Sequence, residues 1–202
     1  MKTALIWGAS GGIGRALVDK LDRDRWTVYA VSRHPEDVQT LTSHTLRADV
    51  TSVQDVQAVI GQMRGDGVQI DLSIYAVGDI TSVKVEGMGP ETWQRILGAN
   101  LTGAYLTTHF SEPILASDAH LVYLGAVSER LRLPGLSAYA AAKAGMEAFA
   151  EALRKEDRHR RITVVRPTAV ETDLWEKGPL RMQKHALGPQ EVAQRLLSAY
   201  DA

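Results

Sequence analysis

The chain has 202 residues, of which 45% are hydrophobic and 23% are charged, a composition typical of globular rather than disordered proteins. Lysine and arginine (23) nearly balance aspartate and glutamate (24), so the formal net charge of −1 argues against a nucleic-acid partner. The absence of cysteine excludes disulfide frameworks, thiolate catalysis and cysteine-based zinc sites. No stretch approaches the ~20 apolar residues of a membrane span, and no apolar run suits a signal peptide. We therefore expect a cytoplasmic protein without membrane contact.

Short apolar runs alternate with longer segments in which apolar residues are spaced three and four apart. The predicted strands are Thr3–Trp7, Thr27–Val31, Thr45–Arg47, Ile70–Tyr75, His120–Leu124 and Ile162–Val165. The predicted helices are Ile13–Leu21, Val53–Met63, Pro90–Leu115, Tyr139–Lys155 and Pro189–Tyr200. This alternation requires right-handed crossovers and a parallel sheet that is covered on both faces. We predict an α/β fold: one domain over residues 1–202, with a Rossmann-like, doubly wound sheet of six parallel strands and helices on both faces.

A glycine-rich turn directly follows the first predicted strand and opens the first predicted helix. Glycine there permits a tight exit from the strand, close approach of the backbone to a pyrophosphate and close packing of helix on strand. The N-terminus of the helix then presents N–H groups and a positive dipole to the phosphates. A purely structural turn is the alternative interpretation. The pattern predicts a dinucleotide site that includes Gly8, Ser10, Gly12, Ile13 and Gly14.

The Gly-x-x-x-Gly-x-Gly spacing of this turn resembles that of the short-chain dehydrogenase/reductase family, and the resemblance extends from Thr3 to about Leu174. The strongest further match is Tyr139 and Lys143, separated by three alanines, which places a phenol and an ammonium on one helix face. We expect Lys143 to lower the pKa of Tyr139, so that the phenol exchanges a proton with a carbonyl or an alcohol. The resemblance implies that Asn100 supports a water leading to the lysine.

Ser32 and Arg33 follow the second predicted strand, where an NAD-dependent enzyme usually carries an acidic residue for the ribose hydroxyls. A guanidinium matches a 2′-phosphate in charge and shape, and Ser32 supplies a further donor. The sequence therefore favours NADP(H), with NAD(H) as the alternative cofactor and a solvated loop charge as the other interpretation of Arg33. The resemblance implies further contacts to the adenine, the ribose and the nicotinamide from Asp49, Val50, Ala76, Gly78, Pro167, Val170 and Thr172, together with Tyr139 and Lys143.

The catalytic serine of the family lies thirteen residues before the tyrosine, at the position where this chain has Ala126. Alanine donates no hydrogen bond to a substrate oxygen, and the loss of one such donor typically lowers a rate ~10²–10³-fold. Ser128 lies about 6.5 Å further along an extended chain and replaces the missing hydroxyl only if the loop bends. Ser128 is therefore a further catalytic candidate, and we expect reduced activity.

Two hypotheses for the function follow. The first is an oxidoreductase that transfers hydride between NADP(H) and a small carbonyl or alcohol substrate. The alternative, favoured by Ala126, is a non-catalytic NAD(P)-binding sensor or scaffold. The presence of Tyr139, Lys143 and Asn100 favours the enzyme, because binding alone would not need the phenol. The six histidines lack metal-ligand spacing, so no metal is predicted.

The helices that carry Asn100 and Tyr139 commonly form a dimer face in this family. We expect a homodimer, and the absence of the seventh strand of typical members makes a tetramer the weaker expectation.

Overall fold

The structure is a computed structural model that describes residues 1–126, 131–172 and 186–200. Its described residues form a six-stranded sheet in the order β3-β2-β1-β4-β5-β6, in which all neighbouring strands are parallel. The strands are β1 (Thr3–Trp7), β2 (Thr27–Ser32), β3 (His44–Arg47), β4 (Ile70–Tyr75), β5 (Leu115–Leu124) and β6 (Arg161–Val165). The predicted doubly wound sheet is confirmed.

Helices cover both faces of the sheet and enclose a separate apolar core on each. They are α1 (Gly12–Arg23), α2 (Val53–Gly65), α3 (Pro90–Leu97), α4 (Gly103–Ser111), α5 (Ser137–Glu156) and α6 (Pro189–Tyr200). Because successive side chains of a strand point to opposite faces, Ala4 and Ile6 of β1 pack with α1 and α6. Leu5 and Trp7 pack instead into the core formed with α2, α4 and α5. Within the described ranges, no helix has the length and hydropathy needed to cross a bilayer.

The prediction of one continuous helix over Pro90–Leu115 is wrong, because the segment is divided into several elements and ends before Leu115. It consists of α3, a π-helical turn over Gly98–Thr102, α4 and a 3₁₀ turn over Glu112–Ile114, and β5 then begins at Leu115 instead of His120. Pro113 has no N–H to continue a helix. The early part of β5 pairs with β4 irregularly, because the register shifts between Ile70 and Leu72. That irregularity removes the alternation by which a strand is recognised in a sequence.

The strand order reverses between β1 and β4, and this arrangement leaves a crevice at the carboxyl ends of the strands. The turn that leaves β1 needs glycine at two positions. Gly8 has φ +83°, and a Cβ there would lie 2.9 Å from the backbone nitrogen of Val77. A Cβ on Gly14 would lie 2.2 Å from the carbonyl oxygen of Gly8, so α1 approaches the turn more closely than any side chain allows. The N-terminus of α1 consequently faces the crevice.

Candidate active site

A cavity of about 1020 Å³ occupies the crevice. Its wall includes residues from the turn after β1, the carboxyl ends of β2, β4 and β5, the segment after β6, and α3 and α5. Gly14 and Asn100 do not line the cavity, and Ser128 lies outside the described residues. The remaining predicted site residues all line it: Gly8, Ser10, Gly12, Ile13, Ser32, Arg33, Asp49, Val50, Ala76, Gly78, Tyr139, Lys143, Pro167, Val170 and Thr172.

Tyr139 and Lys143 lie near the start of α5 and are both buried, with exposed fractions of 6% and 3%. The Nζ atom of Lys143 donates a hydrogen bond to the carbonyl oxygen of Leu124 at 2.8 Å and lies 5.7 Å from the centroid of the Tyr139 ring. Leu124 is the last residue of β5, so this bond fixes the lysine against the end of a central strand. The structure thus brings the predicted phenol and ammonium together at the cavity wall.

The expected effect of Lys143 on Tyr139 is not what the structure shows. Burial raises the pKa of Tyr139 to about 12, because the phenolate would have to form among apolar side chains. Burial also lowers the pKa of Lys143 to about 8, and the carboxylate of Glu147 opposes that decrease. The ammonium is bound to the Leu124 carbonyl and not to the phenol oxygen. At neutral pH, therefore, the phenol keeps its proton and most of the lysine keeps its charge.

Asn100 lies behind the cavity wall, in the π-helical turn between α3 and α4, and is completely buried. Its Nδ2 atom donates to the carbonyl oxygens of Ile96 at 2.9 Å and Asp79 at 2.6 Å. Its Oδ1 atom has no hydrogen-bond partner among the residues described. The side chain thus joins the turn to the segment after β4, and the neighbouring Ala99 lines the cavity.

Tyr75 is a structural residue of this site that the sequence pattern did not reveal. Its hydroxyl donates to the carbonyl oxygen of Ala99 at 2.6 Å and fastens the end of β4 to the π-helical turn. Burial raises the pKa of Tyr75, and the charge of Asp49 raises it further, so the phenol stays protonated as a donor. A tyrosine at the end of a buried strand, whose hydroxyl needs a hydrogen-bond partner, was the available signal.

The residues at the β1 and β2 ends of the cavity supply hydrogen-bond donors, a cation and closely packed backbone. The Oγ atom of Ser32 is buried without a hydrogen-bond partner in the described part of the chain. The exposed Arg33 lines the cavity beside it, and Arg47 donates to the Arg33 carbonyl oxygen at 2.6 Å, which holds this backbone in place. A Cβ on Gly12 would lie 2.6 Å from Cγ2 of Thr172, so a side chain at the entrance to α1 would require Thr172 to move. These are a donor, a cation and a narrow backbone cradle of the kind that phosphates require.

The side of the cavity near Tyr139 is apolar at its base and charged at its rim. Ala126 lines the cavity and packs against the buried cluster that surrounds Tyr139, which includes Ile80 and Leu131. At the rim, Arg95 of α3 forms an ion pair with Asp79. The sequence did not single out this pair, which comes together only because α3 packs over the segment after β4. Among the residues that are described, no three His, Cys, Asp or Glu side chains form a metal-binding group.

Comparison with known proteins assigns the family. The family model for short chain dehydrogenases matches residues 2–182. The chain belongs to the short-chain dehydrogenase family. Its curated relatives include a 3-oxoacyl-(acyl-carrier-protein) reductase of Haemophilus influenzae, 29% identical over 188 residues that cover 87% of this chain and 76% of the relative. They also include an uncharacterized oxidoreductase of Staphylococcus epidermidis, which is 24% identical over 98% of this chain and 90% of the relative.

Solved structures share the fold over nearly the whole chain. A Thermus thermophilus protein described as a short-chain oxidoreductase is 28% identical, with a TM-score of 0.82 over 98% of this chain and 95% of its own. An alcohol dehydrogenase of Thermococcus sibiricus, complexed with 5-hydroxy-NADP, has a TM-score of 0.89 over 100% and 91% of the two chains. At 20% identity, that second likeness shows the fold alone. As a family member, this chain is an NAD(P)-binding oxidoreductase, and the comparisons do not favour the sensor or scaffold alternative.

Proposed function

We propose that the protein transfers hydride between NADP(H) and a small carbonyl or alcohol substrate, with Tyr139 as the proton donor to the carbonyl oxygen. The observation that carries this proposal is the placement of Tyr139 and Lys143 in the wall of the cavity that the glycine turn also lines. The bound nicotinamide supplies the hydride. The proton, and the positioning of both reactants, come from side chains of this chain.

Tyr139 acts as an acid because burial keeps its proton in place until negative charge develops on a nearby oxygen. Lys143 has three N–H donors, of which one is bound to the Leu124 carbonyl. The other two can bind ribose hydroxyls and stabilise the phenolate that remains after proton transfer. The hydrogen bonds of Asn100 hold the π-helical turn in place, and Ala99 of this turn lines the cavity. The turn held in this way supports a water that carries protons.

The proposed turnover is slow, because Ala126 supplies no hydrogen bond to the substrate oxygen. Removal of one such donor typically lowers a rate ~10²–10³-fold, while the proton donor and the cofactor cradle are retained. Ser128 stays a predicted substitute for the missing hydroxyl. Since the side chains beside Tyr139 include Ile80, Leu131 and Ala126, an uncharged carbonyl compound with an apolar substituent suits the cavity.

The preference for NADP(H) over NAD(H) rests on Ser32 and Arg33. A buried hydroxyl without a partner in the described residues, beside an exposed guanidinium, suits a dianionic 2′-phosphate, whereas a ribose hydroxyl offers the guanidinium no charge to pair with.

We also propose one domain over residues 1–202, a cytoplasmic location and a homodimer through α4 and α5. The dimer is supported by the exposed Tyr105 of α4, which packs edge-on against Phe149 of α5.

The experiment that tests this function compares wild type with Tyr139→Phe. NADPH consumption is followed with a panel of small ketones, aldehydes and quinones, and cofactor affinity is measured by calorimetry. We expect Tyr139→Phe to abolish turnover and leave NADPH affinity within about twofold, since the substitution removes one neutral hydroxyl. Tyr29→Phe, on β2 and outside the cavity lining, is the matched control and retains activity. Undiminished turnover in Tyr139→Phe contradicts the assignment, and a wild type that binds NADPH without any turnover favours a sensor or scaffold.

A further inference from the structure

Glu147 is a largely buried acidic residue whose burial the mechanism above does not explain. It lies on α5 four residues after Lys143, on the same face of the helix. Its side chain is 12% exposed, and its Oε2 atom accepts a hydrogen bond from Arg166 at 2.8 Å. Its Oε1 atom is buried and has no hydrogen-bond partner in residues 1–126, 131–172 and 186–200. A buried carboxylate oxygen without a partner destabilises a fold, so a compensating interaction is needed.

The position of Oε1 indicates what that interaction is. A Cβ on Gly125 would lie 3.1 Å from Oε1, so this oxygen sits beside the backbone of Gly125. The preceding residue, Leu124, accepts the hydrogen bond from Lys143. The carboxylate and the ammonium therefore approach consecutive residues at the end of β5, from one face of one helix. In surroundings of low dielectric, opposite charges so placed attract each other strongly even without direct contact.

Among the residues that the structure describes, charged groups on either side of Lys143 are themselves paired. Tyr139 and Glu147 are the titratable groups that face the ammonium from α5. Across the cavity, Asp79 is paired with Arg95, and beyond β6, Arg166 is paired with Glu147 itself. The strand end that receives Lys143 contributes a backbone carbonyl and no ionisable side chain. In the described part of the chain, Glu147 is thus the negative charge that acts on the buried lysine.

We propose that Glu147 is a positioning residue that keeps Lys143 in its ammonium form. The proposal rests on the function proposed above, in which that ammonium binds the ribose and stabilises the phenolate. Burial lowers the pKa of Lys143, and the charge of Glu147 raises it, as the proposed role requires. Because the pKa of Lys143 is about 8, the lysine titrates close to neutral pH, and loss of the carboxylate moves its titration into the working range of an enzyme.

The test replaces the carboxylate with an isosteric amide in Glu147→Gln. The matched control is Glu151→Gln, one turn further along α5 and exposed. The first measurement is the pH dependence of kcat and kcat/KM for NADPH-dependent reduction. The second is the NMR titration of the Lys143 side chain in lysine-labelled protein without cofactor. The Lys143 signal is assigned by its absence in Lys143→Met. We expect both transitions to move to lower pH by about one unit in Glu147→Gln, as for removal of a nearby opposite charge. Glu151→Gln coincides with wild type.

A second variant separates electrostatics from a purely structural ion pair. Arg166→Gln also breaks the bond to Glu147 but leaves the carboxylate in place. We expect the Lys143 titration in Arg166→Gln to stay at its wild-type pH or to move higher. The same lowering in Arg166→Gln as in Glu147→Gln, or an unshifted titration in Glu147→Gln, overturns the proposal. If Glu147→Gln does not fold, Arg166→Gln alone decides it: a lowered Lys143 titration overturns the proposal, and an unchanged or raised one supports it. Because the NMR titration needs no turnover, a wild type without carbonyl reduction refutes the proposed function and leaves this test intact.

Discussion

The buried ammonium of Lys143 makes the stability of the fold depend on pH in a predictable direction. Its pKa falls from an ordinary 10.5 to about 8, because burial removes water from the charged form. In the unfolded chain the lysine keeps its ordinary pKa. Between these two values the unfolded state binds more protons than the folded state, so the free energy of unfolding rises with pH there. The substitution that removes this dependence is Lys143→Met, which keeps most of the length of the side chain without its charge.

The magnitude follows from the separation of the two pKa values. Each pKa unit corresponds to about 1.4 kcal/mol, so at pH 7, below both values, the charged lysine lowers the free energy of unfolding by about 3 kcal/mol relative to a neutral lysine. At pH 10 the folded lysine is already neutral, and about 2.5 kcal/mol of that penalty is gone. Above the unfolded value no difference is left. The effect is thus largest at neutral pH, where the proposed function requires the ammonium.

The assay is urea unfolding of wild type and Lys143→Met at pH 7 and pH 10, followed by circular dichroism. We expect the advantage of Lys143→Met over wild type to shrink by about 2.5 kcal/mol between these pH values. Other titrating groups are common to both proteins and cancel in the difference. Lys155→Met, at the exposed end of α5, is the control for the loss of one lysine as such. A pH-independent difference for Lys143→Met would refute the reasoning, because it would mean that Lys143 titrates normally in the folded state.

Three further predictions concern the cofactor cradle and the chemistry. Gly14→Ala places a Cβ 2.2 Å from the Gly8 carbonyl oxygen. We therefore expect it to abolish NADPH binding, measured by calorimetry, and to lower the melting temperature. The control is Gly61→Ala, in open space on α2, which changes neither binding nor fold. Arg33→Ala weakens NADPH binding about 10–100-fold with little change for NADH, and equal effects on the two contradict the phosphate role. Ala126→Ser raises kcat about tenfold or more if the missing hydroxyl limits turnover, and an unchanged kcat shows that it does not.

The features that the sequence predicted correctly are those determined by local spacing. A glycine turn between a strand and a helix can be recognised without knowing what surrounds it, because the requirement at Gly8 and Gly14 comes from backbone geometry. The shared face of Tyr139 and Lys143 follows from helical periodicity alone. The six strands were found for the same reason, except for the early part of β5, where an irregular register with β4 removes the usual pattern.

The features that could not be predicted depend on contacts between distant segments. The high pKa of Tyr139 arises from burial among Ile80, Ile96, Leu131 and Leu136, which the fold gathers from separate parts of the chain. Helical spacing places Tyr139 and Lys143 on one face but does not show how deeply they are buried. The sequence therefore predicts only that the ammonium lowers the pKa of Tyr139, and not that burial raises it. For the same reason, the hydrogen bond that diverts Lys143 to the carbonyl at the end of β5 became visible only in the folded protein.

These electrostatics bear on the direction of the reaction. Reduction of a carbonyl needs a protonated phenol, and burial supplies it over the whole neutral range, because the pKa of Tyr139 is raised to about 12. Oxidation of an alcohol needs the phenolate, which the apolar cluster disfavours. Ala126 adds no donor that would stabilise the phenolate, so in the described part of the site the proposal assigns that role to the ammonium of Lys143. Under the proposed function, in which Tyr139 is the proton donor, these pKa values suit carbonyl reduction at neutral pH better than alcohol oxidation.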